Sequence, residues 1–266
     1  MTAGVLQFLY LGAGILFFIS FSNSKKVLGR FALFLTAGIL CYHFLFLARR
    51  AFEAGHPPLT NMYETLHLLA FLTMFIFFVV RLRAPIDLIG GFAGVIAAVI
   101  MASTAIASPE IEPLLPALKS NWLLFHVSAC FISYSGFALA MGSALAYLVV
   151  DLSPFKKRNP ENRAKLLKTM DGLTHRLILF GYPLLTLGVV TGSVWAELSW
   201  GRYWNWDPKE TWAFATWLIY AAYLHLRYLS WARGRLLAFF AVFAFGLILF
   251  TYYGVNFWLS TLHDYA

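Results

Sequence analysis

Tryptophan is concentrated in one stretch of this chain, WAELSWGRYWNWDPKETWAF from Trp195 to Phe214, and six of the nine tryptophans lie between Trp195 and Trp217. Indole favours membrane interfaces, but an aromatic belt spreads over many helix ends instead of massing in one loop. Part of the stretch has a purely structural account. Asp207-Pro208-Lys209-Glu210 supplies an N-cap, a proline at the first helical position and a glutamate at the third, which is how a helix is started. Trp200, Trp204 and Trp206 are left over, and beside Gly201 they make a face on which a flat, apolar ring can lie. Arg202 and Lys209 can meet carboxylates on the edge of such a ring. A porphyrin with its propionates is a ligand of that kind. Belt and platform both account for the indoles, and histidine placement shifts the balance towards the platform.

Seven histidines are available. His126 lies five residues into a predicted helix, close to the same surface as the tryptophan loop, and His263 follows the last predicted helix on that surface. Two neutral imidazoles from different helices can hold a haem iron from both faces. Asp264, next to His263, is a candidate to orient its ring. His225 differs: it stands 17 residues beyond Pro208, roughly 26 Å along a helix, and so near the opposite membrane boundary. An ionisable residue inside a spanning segment is a functional candidate by default. For His43, His56, His67 and His175 the structural reading is favoured, with His43 set apart by its intramembrane position. Arg49 and Arg50 read as helix-end cations.

The elements that must position these groups are helices in a membrane. The 266 residues are 61% hydrophobic and 12% charged, against about 25% charged in a soluble domain. Apolar runs near 4–22, 31–48, 66–82, 86–106, 121–150, 174–195, 208–230 and 236–260 predict about eight transmembrane helices. Strand alternation is absent, which argues against a barrel. The first run lacks the basic start of a secretory signal and reads as a retained helix. The expectation is therefore an all-α, polytopic integral membrane protein, a single transmembrane domain over 1–266 with a tryptophan-rich external loop over 196–210. The basic segment 151–173 reads as the only sizeable soluble loop, too short for a domain.

The net charge of +8 is a topology signal. In the eight-helix arrangement, 15 of the 20 Lys and Arg fall on one side: Lys25, Lys26, Arg30, Arg81, Arg83, six between Lys156 and Lys168, Arg176, Arg227, Arg233 and Arg235. That side is cytoplasmic by the positive-inside rule, which puts both termini and the tryptophan loop outside. Nucleic acid is not an expected partner. Cys41 and Cys130 have no CxxC spacing, so neither a disulfide framework nor a cysteine-rich metal site is available, and there is no CxxCH haem-attachment motif. A GxxxxGK nucleotide loop is also lacking.

WGRYWNWDPKETW, Trp200 to Trp212, closely resembles the WWD motif of the haem-handling cytochrome c assembly superfamily, and its DPKETW continuation resembles the CcsA (ResC) branch. LTHRLILFGYPLLTLGVVTGSVWAE before it, TWLIYAAYLHLRY after it, FTYYGVNFWLSTLH at the end and PLTNMYETL nearer the start resemble the same family, so the likeness covers essentially the whole chain. The resemblance implies that His126 and His263 are iron ligands of an external haem, and that His225 belongs to an inner haem site. It further implies that Trp200, Gly201, Trp204, Trp206 and Asp207 contact the external haem.

The implied cargo is haem b, and the implied partners are a CcsB (ResB)-like membrane protein and an apocytochrome c bearing CxxCH, with thiol-reducing proteins as further candidates. The implied activity is that of a subunit of a holocytochrome c synthase (haem lyase): presenting haem outside the membrane for covalent attachment. A bacterial inner membrane is the expected location, and a thylakoid membrane suits the family equally. Two alternatives stay open, a HemX-like regulator of haem synthesis and a haem carrier that delivers to a separate attachment enzyme. A generic transporter is less well supported, because no internal repeat is evident.

Overall fold

The computed structural model of the chain describes residues 2–111, 113–152, 160–229 and 231–259, and among these every regular element is helical. The long helices are α1 Thr2–Asn23, α2 Lys26–Ala54, α3 Met62–Arg83, α4 Asp87–Ser103, α5 Asn121–Leu152, α6 Pro160–Trp200, α7 Pro208–Leu226 and α8 Arg235–Leu249. The last continues through a π-helical turn, Phe250–Gly254, into the short α9, Val255–Trp258. Among the described residues, seven helices are long and apolar enough to cross a membrane, with α8 to α9 counted as one. The eighth, α7, has 19 residues diluted by Thr, Tyr, Trp and His. The all-α, membrane-spanning expectation holds.

One expected element differs. Residues 160–173, read from sequence as loop, form the first turns of α6. Pro160 and Glu161 open the helix, and Met170, Thr174, Leu177 and Ile178 repeat at helical spacing to give a buried stripe. Most of the charges that make this segment too polar to span lie on the other faces, and Arg163, two turns before Met170, is paired with Asp151, so hydropathy hid a helix that periodicity supports. Residues 153–159, with Lys156, Lys157 and Arg158, lie outside the described residues.

The chain divides into two compact units, Met1–Lys119 and Ser120–Asp264. In the first, α1 packs closely on α4. A Cβ placed on Gly94 would stand 2.6 Å from the Gly14 Cα and 2.7 Å from the Tyr10 carbonyl, so the two backbones touch where side chains are missing. Several buried polar side chains in this unit bond to one another. The Tyr10 hydroxyl meets His43 Nδ1 at 2.8 Å, and His43 Nε2 meets His67 Nδ1 at 3.0 Å. Two of the histidines read as structural thus form one chain with a tyrosine, in the interior. At one end of the unit, Arg50 pairs with Glu64 at 2.9 Å and donates to the carbonyls of Pro109 and Glu110. Asp87 receives Ser20 and Arg81 at the other end. Arg49 pairs with Glu53, four residues along the same helix.

The second unit is organised on the antiparallel seam between α5 and α6. Donors along α5 reach backbone carbonyls of α6: His126 Nδ1 to Gly188 at 2.7 Å and Ser133 Oγ to Gly181 at 2.8 Å in one register, with Ser143 Oγ to Met170 at 3.0 Å further along and one residue out of it. A step of seven residues up α5 is matched by seven down α6, two helical turns each. Glycines on α6 receive the side chains between these bonds. A Cβ on Gly181 would lie 2.7 Å from the Phe137 ring, one on Gly188 2.5 Å from Cys130 Sγ, and one on Gly192 2.5 Å from His126 Nδ1. At the opposite end, Asp151 joins Arg163 and Arg235, while Asp171 holds Arg227 through two 2.7 Å bonds. The ion pairs therefore collect at the end of the unit away from the tryptophan loop.

The first unit generates a stability prediction. Replacing His43 with leucine strips partners from the Tyr10 hydroxyl and from His67, and each buried polar group left unpaired costs about 1–3 kcal/mol. Unfolding of the purified His43→Leu protein by SDS titration in detergent should show a loss of that size. A midpoint equal to the native one would contradict the chain as a packing element.

Candidate functional site

His126, on α5, is half-buried against α6. A carbonyl oxygen only accepts, so the 2.7 Å contact with Gly188 requires the proton on Nδ1 and leaves the lone pair on Nε2. The ring lies in the space left by the missing side chain of Gly192. Trp195, one turn further along α6 and 2% exposed, stacks parallel to it, with centroids 6.2 Å apart and an interplanar angle of 11°. Trp200 then meets Trp195 edge-on at 4.9 Å. The imidazole and two indoles form one continuous cluster at the tryptophan-loop end of the seam.

The loop is shorter than expected, since α6 runs to Trp200 and only residues 201–207 lie between helices. Gly201 ends α6 at φ +74, its amide donating to the Glu197 carbonyl at 2.8 Å, a left-handed cap that glycine adopts without steric cost. Trp206 adopts φ +54, a region that a bulky side chain rarely enters, and its indole is 67% exposed. Two contacts hold it there. The Trp206 carbonyl accepts Thr211 Oγ at 3.2 Å, and the next amide, that of Asp207, donates to Glu210 Oε2 at 3.3 Å. Strain of this kind costs of the order of 1–3 kcal/mol and concentrates at functional loops. Trp204 stands edge-on to both Trp206 and Phe214, and Phe214 stacks on Trp217. Trp217 is fixed by Thr186 Oγ at 2.9 Å.

Asp207 is buried and caps α7. Its carboxylate accepts the Lys209 amide at 3.0 Å, while Glu210 reaches back to the amides of Asn205 and Asp207. The capping box expected from the sequence is present. Arg202 is exposed and donates to Asn205.

His225 is exposed near the other end of α7, where Nδ1 donates to the Ala221 carbonyl at 2.7 Å and Nε2 carries the free lone pair. The Asp171–Arg227 pair lies beside it in sequence, on the ion-paired end of the unit. His126 and His225 thus belong to opposite ends of the second unit. His263 and Asp264 lie outside the described residues. His56 occupies the loop before α3, and His175 lies 6.4 Å from the Tyr223 ring.

Three residues that bear on the site escaped the sequence reading: Gly188, Gly192 and Trp195. The glycines are spaced four apart in GVVTG, matching the spacing of Cys130 and His126, but pairing the two patterns requires the α5–α6 register. Trp195 was legible only as part of the tryptophan cluster.

These features define a class: a polytopic helical membrane protein that gathers indoles and an oriented imidazole at one end of a helix pair. Residues 59–263 match the cytochrome c assembly protein family. The cytochrome c biogenesis protein CcsA of Guillardia theta is 38% identical over 243 residues, covering 84% of this chain and 81% of that protein. CcsA of Porphyra purpurea is 37% identical, covering 84% and 82%. CcsA of Thermosynechococcus vestitus is 36% identical, covering 83% and 82%. The chain belongs to the CcsA family of cytochrome c biogenesis proteins. A solved structure of the cytochrome c haem lyase CcmF shares the fold, with a TM-score of 0.63 at 20% identity over 94% of this chain. This chain spans 45% of that protein's length.

The cap geometry predicts a graded series. Asp207→Ala should cost about 0.5–2 kcal/mol and Asp207→Asn much less, because asparagine also accepts at an N-cap. SDS unfolding of the two purified variants measures the difference, and equal losses would show that the carboxylate serves something other than the cap.

Proposed function

We propose that this chain is the haem-handling subunit of a cytochrome c synthase, binding haem b as its cargo and holding it outside the membrane for attachment to apocytochrome c. The observation that carries the reading is the His126 tautomer. A backbone carbonyl pins Nδ1–H, the arrangement that orients metal-ligating imidazoles, and Nε2 keeps its lone pair beside stacked indoles. The donor set fits an iron-centred ring: imidazole for the metal, Trp200, Trp204 and Trp206 around Gly201 for the ring face, and the Arg202 and Lys209 side chains for propionates.

In this reading His126 and His263 hold the iron from its two faces, and His225 offers its Nε2 at an inner site on the cytoplasmic side, with a second ligand from the CcsB (ResB)-like partner. The inside assignment rests on the cationic end of the second unit, where Arg163, Arg227 and Arg235 gather. Both termini are then external, residues 1–266 act as one assembly domain, and the segment 196–210 is its external face. The membrane is the bacterial cytoplasmic one, or a thylakoid of the same topology.

Haem supplies two vinyl groups, and each thiol of CxxCH adds its S–H across one of them to form a thioether, so the addition itself needs no oxidant. The protein contributes binding and orientation. Fixing the cargo against the tryptophan loop converts an encounter between three bodies into the docking of one polypeptide, with a large entropic gain. Thiol-reducing proteins would keep the substrate cysteines free.

The test is the reduced-minus-oxidised spectrum of the chain purified with a CcsB-like partner. A bis-imidazole signature should be present in the native protein and absent from the His126→Ala, His263→Ala double variant. An unchanged spectrum in that variant would sink the external site. Trp206→Gly relieves the positive φ and should raise stability by about 1 kcal/mol while reducing cytochrome attachment in reconstitution. Full attachment by the glycine variant would assign Trp206 no part in delivery.

A further inference from the structure

We propose that Gly188 and Gly192 are positioning residues for His126, and that the α5–α6 register acts as the ruler that sets the direction of the Nε2 lone pair. The proposal rests on the reading of His126 as an iron ligand and adds the device that aims it. Three side chains of α5 enter glycine gaps on α6 in one antiparallel register: Phe137 at Gly181, Cys130 at Gly188 and His126 at Gly192. Steps of seven and four residues on one helix equal those on the other. Phe137 only fills space, and the Cys130 sulfur also lies 3.8 Å from His126 Nδ1. The third ends on a titratable ring, and that ring alone of the three also donates to the α6 backbone.

Each contact around His126 removes one freedom. The Gly188 carbonyl, 2.7 Å from Nδ1, fixes the tautomer and the ring's tilt about its side-chain axis. The missing side chain at Gly192 lets the ring come that close, since a Cβ there would stand 2.5 Å from Nδ1 and 2.7 Å from Cε1. The atom nearest that Cβ, Nδ1, is the one held by the Gly188 carbonyl, so relieving contacts below 3.0 Å means moving the ring off its hydrogen bond. Trp195 lies parallel to the imidazole with centroids 6.2 Å apart and bounds the space on that side of the ring. Thr191 Oγ donates chiefly to the Leu187 carbonyl at 2.7 Å and, at 3.2 Å from the Gly188 oxygen, is a minor competitor of the imidazole for it. A hydrogen bond from Nδ1–H to a carbonyl raises the basicity of the opposite nitrogen, which favours ferric over ferrous iron. Backbone geometry therefore tunes the ligand as well as aiming it.

The experiment compares full-length Gly192→Ala, Gly172→Ala, His126→Ala and Thr191→Val proteins by haem titration, absorption spectrum and redox titration. Gly172 lies on the same helix with nothing near its would-be Cβ, so its variant is the packing control. Gly192→Ala is expected to bind haem about 10–100-fold more weakly, the usual effect of disturbing the groups behind a metal ligand. It should also lose the six-coordinate low-spin spectrum, and added imidazole should restore it, because only the aimed ligand is missing. A merely misfolded protein would not recover with imidazole. If His126→Ala loses the low-spin spectrum while Gly192→Ala keeps native spectrum and affinity, the positioning proposal is overturned and the ligand reading survives. If His126→Ala itself is unchanged, the ligand reading fails and takes the proposal with it. Thr191→Val covers the case in which Gly192→Ala does not fold. Freed of its competitor, the carbonyl should bind Nδ1–H more strongly and shift the haem midpoint to lower potential, and an unshifted midpoint would count against the proposal.

Discussion

The contact on which the second unit depends is the close approach of the α5 and α6 backbones. Lipid is as apolar as leucine, so helices in a membrane associate through fit and hydrogen bonding, and glycine allows both. Gly181, Gly188 and Gly192 let Phe137, Cys130 and His126 settle onto α6, and that proximity brings Ser133 and His126 within reach of its carbonyls. Because glycine gaps and hydrogen bonds share one register, a slip of one residue would put side chains against helix backbone and leave donors without acceptors. The seam is specified twice, and the imidazole at its end inherits that definition.

Polar groups elsewhere obey the same constraint, that hydrocarbon offers no hydrogen bonds. In the first unit Tyr10, His43 and His67 are linked by two hydrogen bonds inside the helices, while Arg50 and Glu64 neutralise each other and tie down the chain near residues 109 and 110. In the second, Asp151 and Asp171 gather three arginines at one end. Cationic and aromatic ends are separated along the helix axes, which gives that unit its polarity.

Much of this was legible in the sequence. Long apolar runs predicted the helices and, apart from the start of α6, most of their ends to within about six residues, and Asp207 to Glu210 announced the capping box that the structure contains. Arg49 and Arg50 had been read as helix-end cations, and each has a carboxylate partner. The start of α6 was missed because a hydropathy window averages charges that helical geometry places on separate faces. His43 and His67 were read as structural one at a time, and nothing in their spacing revealed that they bond each other. Such a pairing spans two helices, and no local pattern encodes the distance between them.

The amino-acid order by itself determined the class of fold, the place of the tryptophan loop, the cap of α7 and the position of His126 and His225 towards opposite ends of their unit, because each follows from periodicity or local hydrogen bonding. Only the tertiary structure decided which nitrogen of His126 carries the proton, that Gly192 makes room for its ring and that Trp195 lies parallel to it. Those facts arise where residues 62 or more positions apart, on two successive helices, meet, and the register of that meeting is set by the fit of many side chains at once.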